Sequence, residues 1–489
     1  MNFSGMSGTL LPSTGKLARW LRSWVHESGA IHGFHNHPVW GGNPYRSEDM
    51  TCGHSTFASL LLPALATALR LNPDPRGRHL LDRLIEFQCT ARHEEGQFLH
   101  IGFEVGEVIQ RGMIHNMVPC VSLCATVLAM GDTMSDATKK RIDETVRGVL
   151  AACEEHFGLE INEETTSNQA YSRIWAMLLH MEAFGHSLWD DSVKKQLKGL
   201  QERFHVRDIP EAGCLASLRS SNLPGIIEPA EYYGLMIHPL LCAAKRYGHS
   251  DYLESAKGFG RHVIRSAWRD PRGCLRFHRL WRGLGDELTC IREPMLIGGM
   301  GITLSSIQAL ECCAPDSEWV AFLGEMDRTY SQYQNEFGFF LAASGWCGEQ
   351  DVIPSSAWQS HDLYHLVCRH GIDIGFWDEV FNDYQRVAVV LGFNLFWVET
   401  DTHWAVRGYE SSHGLELACR KDQSRFGVDI QRWIKDGRHL SLDMLIPKQP
   451  KFLRTDEAII ALSGRSDLDL TNASGKQFQP LGEQPGVHQ

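Results

Sequence analysis

No apolar run in the 489-residue sequence approaches the ~20 residues that a membrane-spanning helix requires. The opening residues, MNFSGMSGTLLPSTGKLARW, lack a basic stretch leading into a continuous apolar one, so no signal peptide is expected. None of the 14 cysteines forms a CxxC pair, and no framework spacing is visible. That speaks against a disulfide scaffold or a thiolate cage, and for reduced thiols in a cytoplasmic protein. Positive charge is short too. The 47 Lys and Arg face 59 Asp and Glu, a formal charge of −12. General nucleic-acid binding needs a net basic face and is excluded. An anionic small substrate is not, because a cleft can be basic locally.

What the sequence does have is helical periodicity. In YSRIWAMLLHMEAF, Ile174, Met177, Leu178 and Met181 return at steps of three and four. The same reading predicts helices over 14–28, 53–71, 77–92, 113–130, 136–157, 166–185, 190–204, 230–247, 251–268, 296–313, 317–334 and 356–369. ASLLLPALATAL is apolar nearly all round, as a helix buried on every side should be, and Pro63 is expected to kink it. The connections alternate, short after every second helix and long after the others. Short connections force antiparallel neighbours, so strict alternation gathers the long loops at one end. Long ordered loops are usually functional. Twelve helices in six hairpins make an (α/α)6 barrel over residues 1–392. After 392, FNLFWVETD, HWAVRGYE, GLELACRK and their successors read as short strands. They form an expected antiparallel β module over 393–463, with a flexible tail over 464–489. No sequence repeat is apparent.

Twelve helices with alternating connections, His-, Trp- and Tyr-rich loops and a β-rich C-terminal part resemble the six-hairpin (α/α)6-barrel carbohydrate-active enzymes. Glucuronyl hydrolases, β-glucuronidases and several polysaccharide lyases belong there. The resemblance covers about residues 14–370 and rests on architecture. Terpene cyclases have related barrels, but no DxDD or DDxxD segment occurs here. The resemblance implies an active site on the long-loop face and a sugar substrate.

Glycoside hydrolysis needs two carboxyl groups across the scissile bond. Glu228 in GIIEPAEYYG and Glu293 in GDELTCIREPM each precede a proline at the expected mouth of an inner helix. Apolar surroundings there suit an acid with a raised pKa. Asp49, beside Glu48 in the first loop, is the leading partner. Glu104, Glu107, Glu231, Asp286, Glu287, Glu349 and Asp351 are further loop carboxylates. Each single one is more simply read as a helix cap.

IHGFHNHPVWGGNPYRSEDMTCGHSTF (31–57) holds His32, His35, His37 and His54 with Trp40 and Tyr45. A His-x-His pair can ligate zinc, yet no third ligand stands at a familiar spacing. No metal and no cofactor is expected. In the favoured reading Trp40 or Tyr45 stacks on a sugar ring while His35 and His37 bond its oxygens; a polar network without chemistry is the bland alternative. Asn168, Tyr171 and Arg173 in TTSNQAYSRIW, Tyr232 after Glu231, and Trp358 and His361 in IPSSAWQSHDLYHL are placed at inner-helix starts, whose partial positive charge favours anions. Arg173, Arg219 and Arg292 would favour a carboxylate-bearing sugar.

The expected function is a glycoside hydrolase that removes a terminal uronic acid from oligosaccharides. A lyase using Tyr or His for β-elimination and a non-catalytic sugar-binding protein are the alternatives. Trp397 and Trp404 are an expected homodimer face.

Overall fold

The structure, a computed structural model, describes residues 11–22, 25, 29, 31, 58–92, 96–98 and 113–382. Gaps fall at 163, 207–212, 217–225, 271, 285–286, 297–298, 335–337, 341–342, 345–350 and 353–355, and short strands follow from 386 onward. For 278–298, 343–358 and all residues after 382, only the backbone is described.

The barrel helices are α1 (Thr14–Arg22), α2 (Leu61–Leu71), α3 (Pro75–Thr90), α4 (Met113–Met130), α5 (Asp136–Phe157) and α6 (Ser167–Phe184). They continue with α7 (Asp190–Phe204), α8 (Tyr233–Tyr247), α9 (Ser250–Arg265), α10 (Gly301–Cys313), α11 (Ser317–Tyr333) and α12 (Ser356–His370). A short α13 (Phe376–Val380) packs on α1. Helices α2, α4, α6, α8, α10 and α12 each touch the next, and α12 returns to α2, closing a ring. The odd-numbered helices pack outside it. This is an (α/α)6 barrel. Inner helices pass to outer ones through 72–74, 131–135, 185–189, 248–249 and 314–316. The longer connections 23–60, 91–112, 158–166, 205–232, 266–300 and 334–355 all lead into inner-helix N-termini. One end of the barrel is therefore a mouth of long connections, the other a base of short turns.

Burial follows the ring. In α6 nearly every side chain from Ser167 to Met181 is buried. Outer α7 buries only Val193, Gln196, Leu197, Leu200 and Phe204, one stripe of an amphipathic helix. Two glycines set the spacing of inner helices. A Cβ on Gly234 would lie 2.2 Å from the Ile302 carbonyl oxygen, and one on Gly301 would lie 2.1 Å from that of His361. Pro63, expected inside its helix, stands instead at its start. Because α2 starts at Leu61, the proline falls in the first turn, where no intrahelical N–H bond is lost.

The mouth contains a repeat that the sequence reading missed. Isolated bridges Val25↔Ile31, Arg92↔Phe98 and Gln334↔Phe340, and the pair Arg269↔Leu275, follow four outer helices with the same spacing. Two residues before each second partner stands a glycine at positive φ, namely Gly29, Gly96, Gly338 and Gly273. Only glycine adopts that conformation without strain. The first partner's side chain then caps the glycine carbonyl: Arg92 Nη2 at 2.7 Å, Gln334 Nε2 at 2.8 Å, Arg269 Nη1 at 3.2 Å. The next inner helix grips the same turn twice. Asn116 Oδ1 accepts the Phe98 N–H at 2.9 Å, and Gln359 Oε1 accepts that of Phe340 at 2.9 Å.

Four expected helix limits and one expected loop were wrong: α1 ends at Arg22 rather than 28, with Val25 in a bridge, and α2 starts at Leu61 rather than 53. Residues 267–269 are strand β2 (Ala267–Arg269) rather than the end of α9, and α10 starts at Gly301, not 296. The long connection expected between the helices at 251–268 and 296–313 is a hairpin of β3 (Leu275–Leu284) and β4 (Glu287–Leu296). Its neighbours β1 (Ile226–Ile227), β5 (Ala343–Ser344) and β6 (Asp351–Val352) complete a six-stranded antiparallel sheet, so three connections are stitched together at the mouth. Beyond 382 come β7 (Arg386–Val389), β8 (Leu395–Glu399), β9 (His403–Gly408) and β10 (Leu415–Arg420), then β11 (Pro450–Arg454), β12 (Ile459–Ser463), β13 (Asp469–Asn472) and β14 (Pro480–Leu481). They pair as a five-stranded and a three-stranded antiparallel sheet. The strands β13 and β14 fall within 464–489, read from sequence as unstructured, because each finds a partner distant in sequence.

Candidate active site at the barrel mouth

Glu228 follows β1 and is 1 % exposed. Its Oε1 accepts the Asn168 backbone N–H at 3.0 Å and the Ser167 hydroxyl, and its Oε2 accepts Asn168 Nδ2 at 2.9 Å. Glu228 therefore caps the N-terminus of α6 from a distant part of the chain. Burial raises its pKa, and the three donors work against that rise. Glu231 lies in a 3-10 turn, Ala230–Tyr232, is itself buried, and adds a like charge that also raises Glu228. Two carboxyls thus share the entrance to α8, one committed to a helix end and one following it.

Asp362 on α12 repeats the device. It accepts the N–H groups of Gly299 at 2.7 Å and Gly301 at 2.9 Å, and the Tyr330 hydroxyl. It therefore caps α10, and burial pushes its carboxyl up to about 7. Two of the six inner N-termini already hold a carboxylate, so their partial positive charge is not available to a ligand.

Asn168 and Tyr232, expected on the substrate, lie buried at adjacent inner-helix starts, with Asn168 held by Glu228. His361 is buried one turn into α12, and Trp358 begins the same helix, its side chain outside the described residues. Tyr171 and Arg173 face away from the ring centre, which corrects the expectation for both. The Tyr171 hydroxyl lies 2.6 Å from His205 Nε2, and its ring meets Phe259 of α9 edge-on. Arg173 Nε donates to Gln196 of α7 at 2.7 Å, and its Nη1 donates to the Gly158 carbonyl that ends α5. Two residues apart on a 3.6-residue helix, the two side chains point about 200° apart and meet different neighbours, Tyr171 on the α9 side and Arg173 on the α7 side. Burial lowers the Arg173 pKa to about 10.

Glu293 does not stand at a helix mouth. It lies within β4 beside Pro294, where the pairing with β3 shifts register between His278 and Leu280. A proline cannot donate to the ladder, which accounts for the irregularity. His35, His37, Trp40 and Asp49 lie outside the described residues, as do Arg219 and the side chain of Arg292.

One group inside the ring escaped the sequence reading. Trp175 of α6 stacks on His238 of α8 at 4.7 Å and 8°. His238 Nε2 lies 3.0 Å from Ser305 Oγ of α10. Ser305 Oγ also lies 2.8 Å from the Ile302 carbonyl, which hydrogen-bonds His238 as well. Burial lowers its pKa to about 4. The only sequence signal was a histidine in the apolar run LMIHPLLC, which periodicity alone reads as core.

No protein-family model matches the sequence, and no curated protein matches it. Among solved structures, a sugar epimerase from a ruminal bacterium is similar over 73% of this chain and 97% of its own, at 13% identity and TM-score 0.52. A D-mannose isomerase is similar over 73% and 95%, at 13% identity and TM-score 0.50. A family 76 glycoside hydrolase from a bovine Bacteroides thetaiotaomicron strain is similar over 73% and 78%, at 10% identity and TM-score 0.50. At these identities the likeness establishes the fold, the expected (α/α)6 barrel.

Proposed function

We propose that the protein is a carbohydrate-active enzyme that works on a sugar at the inner-helix N-terminal mouth. The observation that carries this is the buried carboxyl pair Glu228 and Glu231 at the entrance to α8, flanked by Asn168 and Tyr232. Hydrolysis is the first reading. Glu231 would serve as general acid, and Asp49 or Glu293, on two other mouth connections, would supply the second carboxyl. A terminal uronic acid remains the proposed substrate, its carboxylate handle now resting on Arg219 and Arg292. Barrels of this kind in a glycoside hydrolase, a sugar epimerase and a mannose isomerase support a sugar substrate without choosing the reaction.

A second reading, proton transfer at a sugar carbon, is favoured by His238. Its neutral imidazole, oriented by Ser305 and stacked on Trp175, is in the protonation state a base requires. One experiment separates the readings. The protein is incubated with uronic-acid oligosaccharides and free aldoses in H2 18O and in D2O, and products are read by mass. Hydrolysis incorporates 18O into the new reducing end. Epimerisation or isomerisation leaves the mass unchanged in ordinary water and gains deuterium in D2O. Elimination yields an unsaturated product absorbing in the ultraviolet. If no sugar turns over while some bind, the enzyme reading falls to the sugar-binding alternative.

A further inference from the structure

At the base of the barrel, far from the mouth, α6 ends at Gly185 in the left-handed conformation. The N–H groups of Gly185 and His186 both return to the Met181 carbonyl, at 3.0 and 3.2 Å. This reversal lays the His186 ring against that of His180, with centroids 4.7 Å apart. His180 is fully buried and His186 half-buried. His180 Nε2 lies 2.8 Å from Asp143 Oδ1 of α5, and the same oxygen receives Arg147 Nε at 2.8 Å. His180 Nδ1 lies 3.1 Å from His186 Nε2.

We propose that His180 Nδ1 and His186 Nε2 bind a divalent cation of the zinc class, with Asp143 as the positioning carboxylate. Asp143 fixes the proton of His180 on Nε2, so Nδ1 carries a lone pair pointing at His186. A carboxylate behind a ligating histidine is the usual outer partner at such sites. Two nitrogens each ~2.0–2.1 Å from a tetrahedral zinc stand roughly 3.3 Å apart, close to the separation here. Imidazole suits zinc, copper and nickel and is a poor ligand for magnesium or calcium. The half-buried His186 gives the ion a way in and leaves its remaining positions to water.

Binding requires one local change. His186 moves its proton from Nε2 to Nδ1, which gives up the long contact from the Leu188 N–H at 3.3 Å. No net proton is released. The Arg147 charge opposes a cation, so micromolar rather than nanomolar affinity is expected. The ion would tie α5, α6 and the 185–189 turn together.

The test is titration of the full chain with ZnCl2 by calorimetry, with MgCl2 as control. Wild type should take up one equivalent at this site. His186→Ala should weaken that uptake tenfold or more, and Asp143→Asn by about 10–100-fold. Exposed His79→Gln should leave it unchanged, and circular dichroism should confirm that each variant is folded. The proposal is overturned by absence of stoichiometric uptake below millimolar zinc. It is equally overturned if uptake survives His186→Ala, or if a His35→Ala/His37→Ala variant removes all of it.

Discussion

The two ends of the same six inner helices are built by opposite means. At the base, short turns close each inner helix onto the next outer one, and left-handed Gly185 and Gly248 end α6 and α8 from within the local sequence. Charged pairs there join neighbouring elements, as when Arg369 and His370 of α12 both hold Asp327 of α11. At the mouth, the inner helices are finished by groups far away in the chain. Glu228 caps α6 and Asp362 caps α10, each across about sixty positions or more. The base is thus fixed by local chemistry, and the mouth exists only once the ring has closed. Residues committed to that closure and residues proposed for chemistry lie side by side there, and substitutions can tell them apart.

The largest expected effect is on rate. Glu231→Gln should lower turnover roughly 10²–10⁴-fold with little change in melting temperature, as removal of a general acid does. Normal turnover would remove Glu231 as the general acid. Next in size is Gly301→Ala, whose methyl group would meet the His361 carbonyl at 2.1 Å. Forcing α10 from α12 should destabilise the fold by about 3 kcal/mol in chemical denaturation. The corresponding change at exposed Gly324, mid-way along α11 with open space around it, should instead stabilise by about 0.5–1 kcal/mol through helix propensity.

Glu228→Gln sharpens the contrast with Glu231. The amide keeps one acceptor for Ser167 and the Asn168 N–H but sets its NH2 against Asn168 Nδ2. We expect a stability loss of about 1–3 kcal/mol, seen in denaturant midpoints, with turnover reduced far less than by Glu231→Gln. If turnover collapses while stability holds, Glu228 is the acid and the roles are reversed.

The smallest effect concerns protons. His365 is fully buried, neither ring nitrogen has a hydrogen-bond partner among the described residues, and burial lowers its pKa to about 3. Burial likewise lowers His180 and His238 to about 4. Below the unfolded histidine value of ~6.5, the unfolded chain binds protons that the folded one refuses. These groups therefore lose stability as pH falls from 6.5 toward 4. Asp362, raised to about 7, acts in the opposite sense, its share being lost as pH rises through 7. His365→Leu should be neutral or slightly stabilising at pH 7.5. It should also flatten the dependence of unfolding free energy on pH by one proton near pH 5, about 1.4 kcal/mol per unit. An unchanged slope would show that His365 titrates normally.

How much of this was legible beforehand differs between the same two ends. Helix positions, alternation and the ring followed from three- and four-residue spacing, and α4, α5 and α7 match their expected limits. The hairpin at 275–296 was missed because RFHRLWRGL mixes Arg, His and Trp, so its alternation carries little contrast. The direction of Tyr171 and Arg173 was misread for a different reason. Their place at a helix start was right, but which side of α6 faces inward depends on neighbours that one helix does not specify. His238 went unseen because a single polar residue in an apolar helix is the ordinary appearance of a packed core.

The recurring glycine turn carries a consequence for redesign. In two connections the turn just beyond the outer helix is itself held by the next inner helix, through Asn116 on Phe98 and Gln359 on Phe340. The chain from Phe98 to Asn116, and from Phe340 to Gln359, is thereby closed into a loop, and doubling the length of such a loop costs only about 0.6 kcal/mol of closure entropy. Such loops are interchangeable cassettes. Grafts within them should alter what the barrel receives while the helical ring melts where it did before.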